Sequence, residues 1–128
     1  MSPRRHLLFA YGLAALCAGW AIWTGVDCAI EGIHASFANE QTEIFAEMRA
    51  KAVGSGSYDA AQCLDGVVGY YPSGTKQVTG SRLDRIVERA RGEAVAAIIA
   101  HLRQVTGEDW GDDPQAWIAR YASGVGKP

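Results

Sequence analysis

Cys28 and Cys63 are the residues of this sequence best suited to covalent chemistry. Outside the cytoplasm, thiols oxidise to disulfides that persist. A bridge between the two would close a loop of about 35 residues and stabilise the fold by on the order of 3–4 kcal/mol through loop entropy. The alternative is two separate thiols, and Cys63 is then a candidate for redox chemistry in an accessible pocket. Cys17 lies in an apolar run and is interpreted as a small filler.

Ser73 and Lys76 have the Ser-x-x-Lys spacing of penicillin-binding enzymes. Because the separate Ser-x-Asn and Lys-Thr-Gly elements of those enzymes are missing from the sequence, the segment is interpreted as a turn. His34 and His101 lie on apolar stripes, and neither has a second ligand at zinc spacing. We expect structural, hydrogen-bonded imidazoles. The alternative hypothesis is a small thiol-dependent or hydrolytic enzyme that uses Cys63 or His101.

Two charged clusters are candidates for binding. Four acids lie within the six residues from Glu108 to Asp113, but their spacing is not that of the helix–loop–helix calcium site. They are interpreted as acids near the positive N-terminus of a helix that Asp113 caps, so we expect no metal and no cofactor. Arginines at steps of three and four residues form the basic stripe, defined as Arg82, Arg85 and Arg89. It is predicted to be a solvated face or a contact surface for an acidic partner or lipid headgroups.

An uncharged apolar run of twenty residues, Leu7 to Val26, determines where these groups lie relative to a membrane. At about 1.5 Å of rise per residue, its length matches the roughly 30 Å hydrocarbon core of a bilayer. Arg4 and Arg5 precede the run, and the next basic residue after it is Arg49. This asymmetry predicts a cytoplasmic N-terminus and an extracytoplasmic C-terminal part.

A cleaved signal peptide also has a basic start and an apolar stretch. Its cleavage site would be poor here, because the small residues near Ala15 and Ala18 are followed by the bulky Trp20, Ile22 and Trp23. An uncleaved anchor is the favoured interpretation, and a secreted, soluble helical domain is the alternative.

Charge and length limit what the rest of the chain can be. About 100 residues follow the apolar run, which is enough for one modest domain. All fourteen acidic residues, but only ten of the twelve basic ones, lie from Asp27 onward. A nucleic-acid partner requires a dense basic patch, which this mildly acidic part lacks. The predicted partners are the membrane and a second protein or a second copy of this chain.

The first two helices are predicted from hydrophobic periodicity and from glycine. One long helix runs from about residue 7 to 52 and ends where Gly54-Ser55-Gly56-Ser57 interrupts it. A short second helix covers about 58–69, with Ser57 as its cap. Turn-forming residues follow it.

The last two helices are predicted from their end signals. The third starts at a capping box of Ser81 and Asp84 and stops at Gly107. The fourth starts at Asp113-Pro114, with proline in its first turn. Large aromatic residues are expected to fill the small core: Tyr70, Tyr71, Trp110 and Trp117.

The predicted fold is all-α, a single N-terminal transmembrane helix that continues into a small helical bundle. Its predicted segments are a cytoplasmic lead (1–6), a transmembrane helix (7–26), a membrane-proximal amphipathic helix (27–53), a small helical domain (54–122) and a flexible tail (123–128).

The segment Thr106–Trp117 resembles a Thr-Gly-x-Asp-x-Gly-x-Asp-Pro-x-x-Trp pattern at the ends of helical units in exported proteins of planctomycete-like bacteria. The resemblance implies a helical scaffold whose aspartate–proline turn and tryptophan lock the last helix, in a bacterial envelope protein. It brings no catalytic residues. The matching positions are Gly107, Asp109, Gly111, Asp113, Pro114 and Trp117.

The leading hypothesis is a non-enzymatic, single-pass protein of the bacterial cytoplasmic membrane whose extracytoplasmic domain contacts another protein. The contact surface is expected to be an apolar groove or the basic stripe. Self-association through the long helix is also predicted, because the small residues Ala15, Ala18 and Gly19 permit close approach of two helices.

Overall fold

The protein is all-α, as predicted, in the part of the chain that this computed structural model describes: residues 3–123, with side chains from His6 onward. Within that part there are four helices and no strand: α1 Pro3–Val53, α2 Ser57–Gly69, α3 Arg82–Thr106 and α4 Pro114–Tyr121. The predicted tail, apart from Ser123, lies outside the described residues.

Helix α1 is unbroken over 51 residues, which confirms the single long helix expected from the sequence. The chain divides into two compact units, Met1–Ala35 and Ser36–Pro128. In the first unit every side chain from His6 to Ile33 is exposed. Among the described helices, α1 alone is long and apolar enough to cross a membrane, with a mean hydropathy of 1.6 over an 18-residue window. A signal sequence near an N-terminus has the same character.

In the second unit, the Ser36–Val53 part of α1 packs against α2 and α3, and α4 packs against α2 and α3. Helix α2 returns alongside α1, because Met48 lies against Gly66 and the Phe45 ring meets the Tyr70 ring edge-on. Burial of each large apolar side chain stabilises the bundle by about 1.5–3 kcal/mol. The largest fully buried side chains are Phe45, Leu64, Val67, Val87, Ile98, Ile99, Leu102 and Trp117.

Local caps determine where α3 begins and ends and where α4 begins, as predicted. The Ser81 hydroxyl accepts the backbone N–H of Asp84 at 3.1 Å and so caps α3. Gly107 ends α3 in the left-handed region at φ 71°, where a side chain would be strained. Asp113 caps α4 by accepting the N–H two residues on, and Pro114 occupies the first helical position.

Two expectations about the bundle are wrong. Ser57 does not cap α2: it is the first helical residue, and Gly56 takes the cap position with no side chain to bond. Large aromatic residues also do not all fill the core. Trp117 is 0% exposed, but Trp110 and Tyr71 are 46% and 41% exposed because they lie in connections between helices.

Candidate functional site

Helices α1 and α3 form one continuous face of the second unit. The Arg91 guanidinium carbon lies 4.8 Å from the Phe45 ring centroid. Ten residues farther along both segments, His101 Nε2 lies 2.9 Å from the Ser55 carbonyl oxygen. Because a step of ten residues in the same direction along each segment leads from one contact to the other, α1 and α3 run parallel. We call the solvent side of this pair the α1–α3 face.

Helices α1 and α3 each carry an exposed charged stripe, and the two stripes have opposite signs. All three arginines of the basic stripe are exposed, and Arg85 Nη1 donates to the Gly80 carbonyl oxygen at 2.6 Å. An acidic stripe on α1 has the same spacing of three and four residues. The sequence contains this spacing, but it identifies a surface stripe only once the exposed side of α1 is known. Its members, all exposed, are Glu40, Glu43 and Glu47.

A shallow groove lies between α1 and α3. It encloses about 130 Å³ between α1 and α3, and small side chains form much of its lining. Two exposed charged side chains, Arg49 and Glu93, also belong to its lining, whereas Glu40 lines a separate pocket with Tyr70 and Lys76. The lining residues are Thr42, Phe45, Ala46, Arg49, Ala90, Glu93 and Ala94.

The Asp84 carboxylate holds the loop between α2 and α3. Asp84 is 4% exposed, and its oxygens accept the Gly80 backbone N–H and the Ser73 hydroxyl, each at 2.8 Å. These hydrogen bonds, that of Gly80 first, lower the pKa of Asp84 below its ordinary value because they stabilise the charged form against desolvation. The sequence predicts Asp84 only as part of a cap, and its burial is a tertiary effect.

The Ser73–Lys76 segment is a turn, as interpreted from its sequence. The hydroxyl of Ser73 is donated to the buried Asp84, so it serves as a structural donor. The Lys76 ammonium lies 4.4 Å from the ring centroids of both Phe37 and Tyr71. A cation between two aromatic faces is stabilised by the ring quadrupoles. Lys76 therefore fixes the loop against α1.

Arg91 closes the C-terminal end of α2 and is not part of the basic stripe. Its Nη1 donates to the Val67 carbonyl oxygen at 2.6 Å and its Nη2 to that of Tyr71 at 2.7 Å. Its Nε pairs with Glu88 at 3.2 Å, and the side chain is only 12% exposed. A cation at a helix C-terminus satisfies the last carbonyls and complements the helix dipole.

Cys28 and Cys63 are free thiols in the structure: Cys28 is exposed in the first unit, and Cys63 is buried in α2 of the second. Cys63 lies with Met48 and Lys51 in the wall of a pocket of about 210 Å³. Burial raises the pKa of Cys63, which favours the unreactive protonated thiol.

The two histidines are half-buried in separate units. His101 bonds the Ser55 carbonyl oxygen, which ties α3 to the turn after α1. The pocket beside Cys63 does not include His101 in its lining, which consists of Met48, Lys51, Asp59, Gln62 and Cys63. The described structure therefore does not place Cys63 and His101 in one pocket.

The C-terminal motif folds upon itself. Arg103 Nε and Nη2 donate to Asp109 and Asp112 respectively, both at 2.9 Å, and Trp117 Nε1 donates to the Gly111 carbonyl oxygen at 2.9 Å. The bond from Arg103 lowers the pKa of Asp109 below its ordinary value. Within residues 3–123, no group of three or more His, Cys, Asp or Glu side chains is arranged to hold a metal ion.

Comparisons with protein-family models, with curated proteins and with solved structures find no match to this chain. The resemblance of the Thr106–Trp117 segment to planctomycete-like exported proteins stays a prediction.

Proposed function

We propose that this chain is a single-pass membrane anchor carrying a small helical interaction module, and that it acts by contacting protein rather than by catalysis. The observation that carries the proposal is the apolar run Leu7–Val26, exposed along its whole length in a continuous helix. An exposed apolar surface of this size is unstable in water. A bilayer removes it from water, since the run matches the thickness of the hydrocarbon core.

The proposed location is the bacterial cytoplasmic membrane, with the N-terminus in the cytoplasm and the bundle outside it. Arg4 and Arg5 before the run, and acids without any basic residue from Asp27 to Met48 after it, support this orientation. Trp20 and Trp23 near the outer end of the run support it as well, because indole rings favour the headgroup level.

The module is proposed to work through the α1–α3 face. This face combines a shallow groove, whose lining includes Ala46 and Ala90, with the exposed charges of Arg49 and Glu93. A mixture of small apolar and charged groups is typical of transient protein interfaces. The resemblance of the C-terminal segment to helical scaffolds of exported planctomycete-like proteins is compatible with this role.

Membrane extraction tests the anchor. We expect the chain to stay in the membrane pellet at alkaline pH, with an intact mass that includes the apolar run Leu7–Val26. Replacing Leu13 and Leu16 together by arginine places two charges near the middle of the run, at a cost of about 2.5–3.5 kcal/mol each, and should release the chain. The matched control, Leu13→Ile with Leu16→Ile, should stay in the pellet.

A soluble chain whose mass begins between residues 18 and 30 would overturn the anchor and identify a secreted domain. Orientation is tested separately with a variant that keeps Cys28 alone, through Cys17→Ala and Cys63→Ala. A membrane-impermeant maleimide should label Cys28 in intact spheroplasts, since it is exposed just beyond the run. Labelling only after lysis would reverse the orientation.

A further inference from the structure

Two sets of apolar residues on α1 each recur every seven residues, with an offset of three between the sets. The first set is Phe9, Leu16, Trp23 and Ile30. The second set is Gly12, Gly19, Val26 and Ile33. All eight lie on the continuous helix α1 within the first unit, and we call them the α1 seam. Because their steps average 3.5 residues, they stay on one side of a helix that winds around a parallel neighbour.

The α1 seam continues beyond the apolar run Leu7–Val26. At about 1.5 Å of rise per residue, Ile33 lies about 10 Å past Val26, whereas the headgroup layer on one side of a bilayer is about 5–8 Å thick. Ile30 and Ile33 are 46% and 53% exposed. Lipid covers every side of the helix within the run, but it does not reach Ile33. An apolar row that keeps its spacing as it leaves the lipid favours contact with another helix.

The charged residues just outside the run lie away from the α1 seam. At 3.6 residues per turn, Asp27 and Glu31 point roughly 90° and 130° away from the adjacent part of the seam. Cys28 is exposed and points roughly 170° away, on the opposite side of the helix. Two copies with their seams in contact therefore do not bring these acids together. An identical neighbour is compatible with the charges of this segment.

The glycines of the α1 seam permit close approach of a second helix. A Cβ atom at Gly12 or Gly19 would meet no side chain within 4 Å, so each glycine leaves an open notch beside a large residue of the first set. Notches of this kind let large side chains of one membrane helix pack beside the backbone of another.

The area of the α1 seam is sufficient for a specific contact. Its six larger side chains are between 46% and 75% exposed. Two seams together therefore offer on the order of 1,200 Å² of apolar surface, which is the lower end of the range for specific interfaces.

We propose that a second copy of this chain packs in parallel along the α1 seam, both within the membrane and for two turns outside it. The inference rests on the proposed function, because copies anchored in one orientation carry the same residues at the same depth. A two-fold axis along the helices then places Ile30 and Ile33 opposite the same residues of the second copy. A different protein would need a seven-residue repeat in matching register, whereas a second copy supplies it.

Cysteine cross-linking in membranes tests which side of α1 is in contact. The background is the chain with Cys17→Ala, Cys28→Ala and Cys63→Ala, to which either Ile30→Cys or Ile33→Cys is added. Isolated membranes are oxidised with copper phenanthroline, and both variants should form a disulfide-linked dimer on non-reducing gels. The matched control keeps Cys28 alone. Because a disulfide requires Cα atoms within about 7 Å, Cys28 on the far side should give roughly tenfold less dimer.

Co-purification measures association without oxidation. Chains with two different affinity tags are co-expressed, solubilised in mild detergent and purified through one tag. Ile30→Glu with Ile33→Glu places acids opposite one another, so recovery of the second tag should fall by roughly tenfold. The matched control, Cys28→Glu with Ala35→Glu, adds the same charge at exposed positions on the opposite side of α1 and should behave like the wild type. Circular dichroism of each variant verifies that the helices are retained.

The inference is overturned if either measurement fails to separate the α1 seam from the opposite side. Cross-linking of Cys28 as readily as of the seam cysteines would indicate random collision. No cross-linking at any of the three positions, in a chain that stays in the alkaline membrane pellet, would show that the anchor is a monomer covered by lipid. A chain absent from the pellet would contradict the proposed function itself, so the two failures are distinguishable.

Discussion

The loop between α2 and α3, residues 70–81, and the turn between α3 and α4, residues 107–113, are both organised by aspartates, but in opposite environments. Asp84 is 4% exposed under the first loop. In the second, the side chains of Asp109 and Asp112 are 69% and 94% exposed. A buried charge with fixed donors contributes much more to stability than an exposed pair that water and salt screen. The acid-rich turn is the more conspicuous in sequence, whereas the buried loop is the more important energetically.

The buried loop is also connected to α1 by a pair of buried amides. Gln77 Nε2 donates to Gln41 Oε1 at 2.8 Å, and both residues are at most 5% exposed. A fully satisfied buried network of this kind specifies one arrangement of its segments, because each lost partner leaves a polar group without a hydrogen bond. The exposed turn, by contrast, is bonded to α4 through Trp117, which donates to the Gly111 carbonyl oxygen, and through Tyr121, which donates to Glu108.

The largest expected effect is therefore at Trp117, not at the acids before it. Trp117→Ala removes a fully buried indole and its hydrogen bond to Gly111, and should lower the free energy of unfolding by about 3–5 kcal/mol. Urea unfolding of the full chain in detergent, followed by circular dichroism, measures it. Trp110→Ala, at a half-exposed indole in the same turn, is the control and should cost clearly less. Equal losses would mean that the turn itself stabilises the bundle.

The next largest effect is expected at Asp84. In the wild type the Asp84 carboxylate accepts hydrogen bonds from the Ser73 hydroxyl and the Gly80 N–H. The amide of Asp84→Asn would direct an N–H towards one of these two donors. The substitution should therefore lower the free energy of unfolding by about 2 kcal/mol. Asp109→Asn in the exposed turn makes the same chemical change. If the buried loop is the stronger one, the same unfolding measurement should give a much smaller loss for Asp109→Asn. A larger loss for Asp109 would reverse the comparison.

The contribution of Asp84 should also depend on pH in a specific direction. Because its folded pKa is lowered, its stabilisation is present above the unfolded value, about 3.9 for aspartate, and is lost as pH falls through the lower folded pKa. The difference in unfolding free energy between wild type and Asp84→Asn should be constant above about pH 5 and shrink below pH 4. Contributions from Glu108 and Asp109, whose pKa values are also lowered, are common to both proteins and cancel. If the difference in unfolding free energy did not change with pH, the stabilisation by Asp84 would not depend on its negative charge.

The accuracy of the sequence predictions follows the range of the interactions involved. Helix ends were predictable at Ser81, Gly107 and Asp113 because a cap is made by residues within four positions of one another. The buried Gln41–Gln77 pair, 36 residues apart, is set by how the loop packs on α1. No periodicity along the chain reports such a contact.

The same distinction applies to the candidate site. The spacing of Arg82, Arg85 and Arg89 was sufficient to predict one helix face. The sequence could not show that α3 runs parallel to α1, because the direction of α3 depends on the path of α2 and of the loop that follows it. Nor could it show that Arg91, two residues after Arg89 and on the other side of α3, bonds the carbonyl oxygens of Val67 and Tyr71.

The smallest effect is expected from the ion pairs of the exposed turn. Arg103→Gln removes both pairs to Asp109 and Asp112, whose geometry raises the pKa of Arg103. At low salt it should cause a small decrease in the midpoint of urea unfolding. At high salt the wild-type pairs are already screened, so the difference should vanish. Asp84→Asn should keep its loss at both salt concentrations, because its partners are neutral donors shielded from ions. A loss that vanishes at high salt for Arg103→Gln but persists for Asp84→Asn would therefore distinguish the screened ion pairs of the exposed turn from the buried hydrogen bonds of the loop.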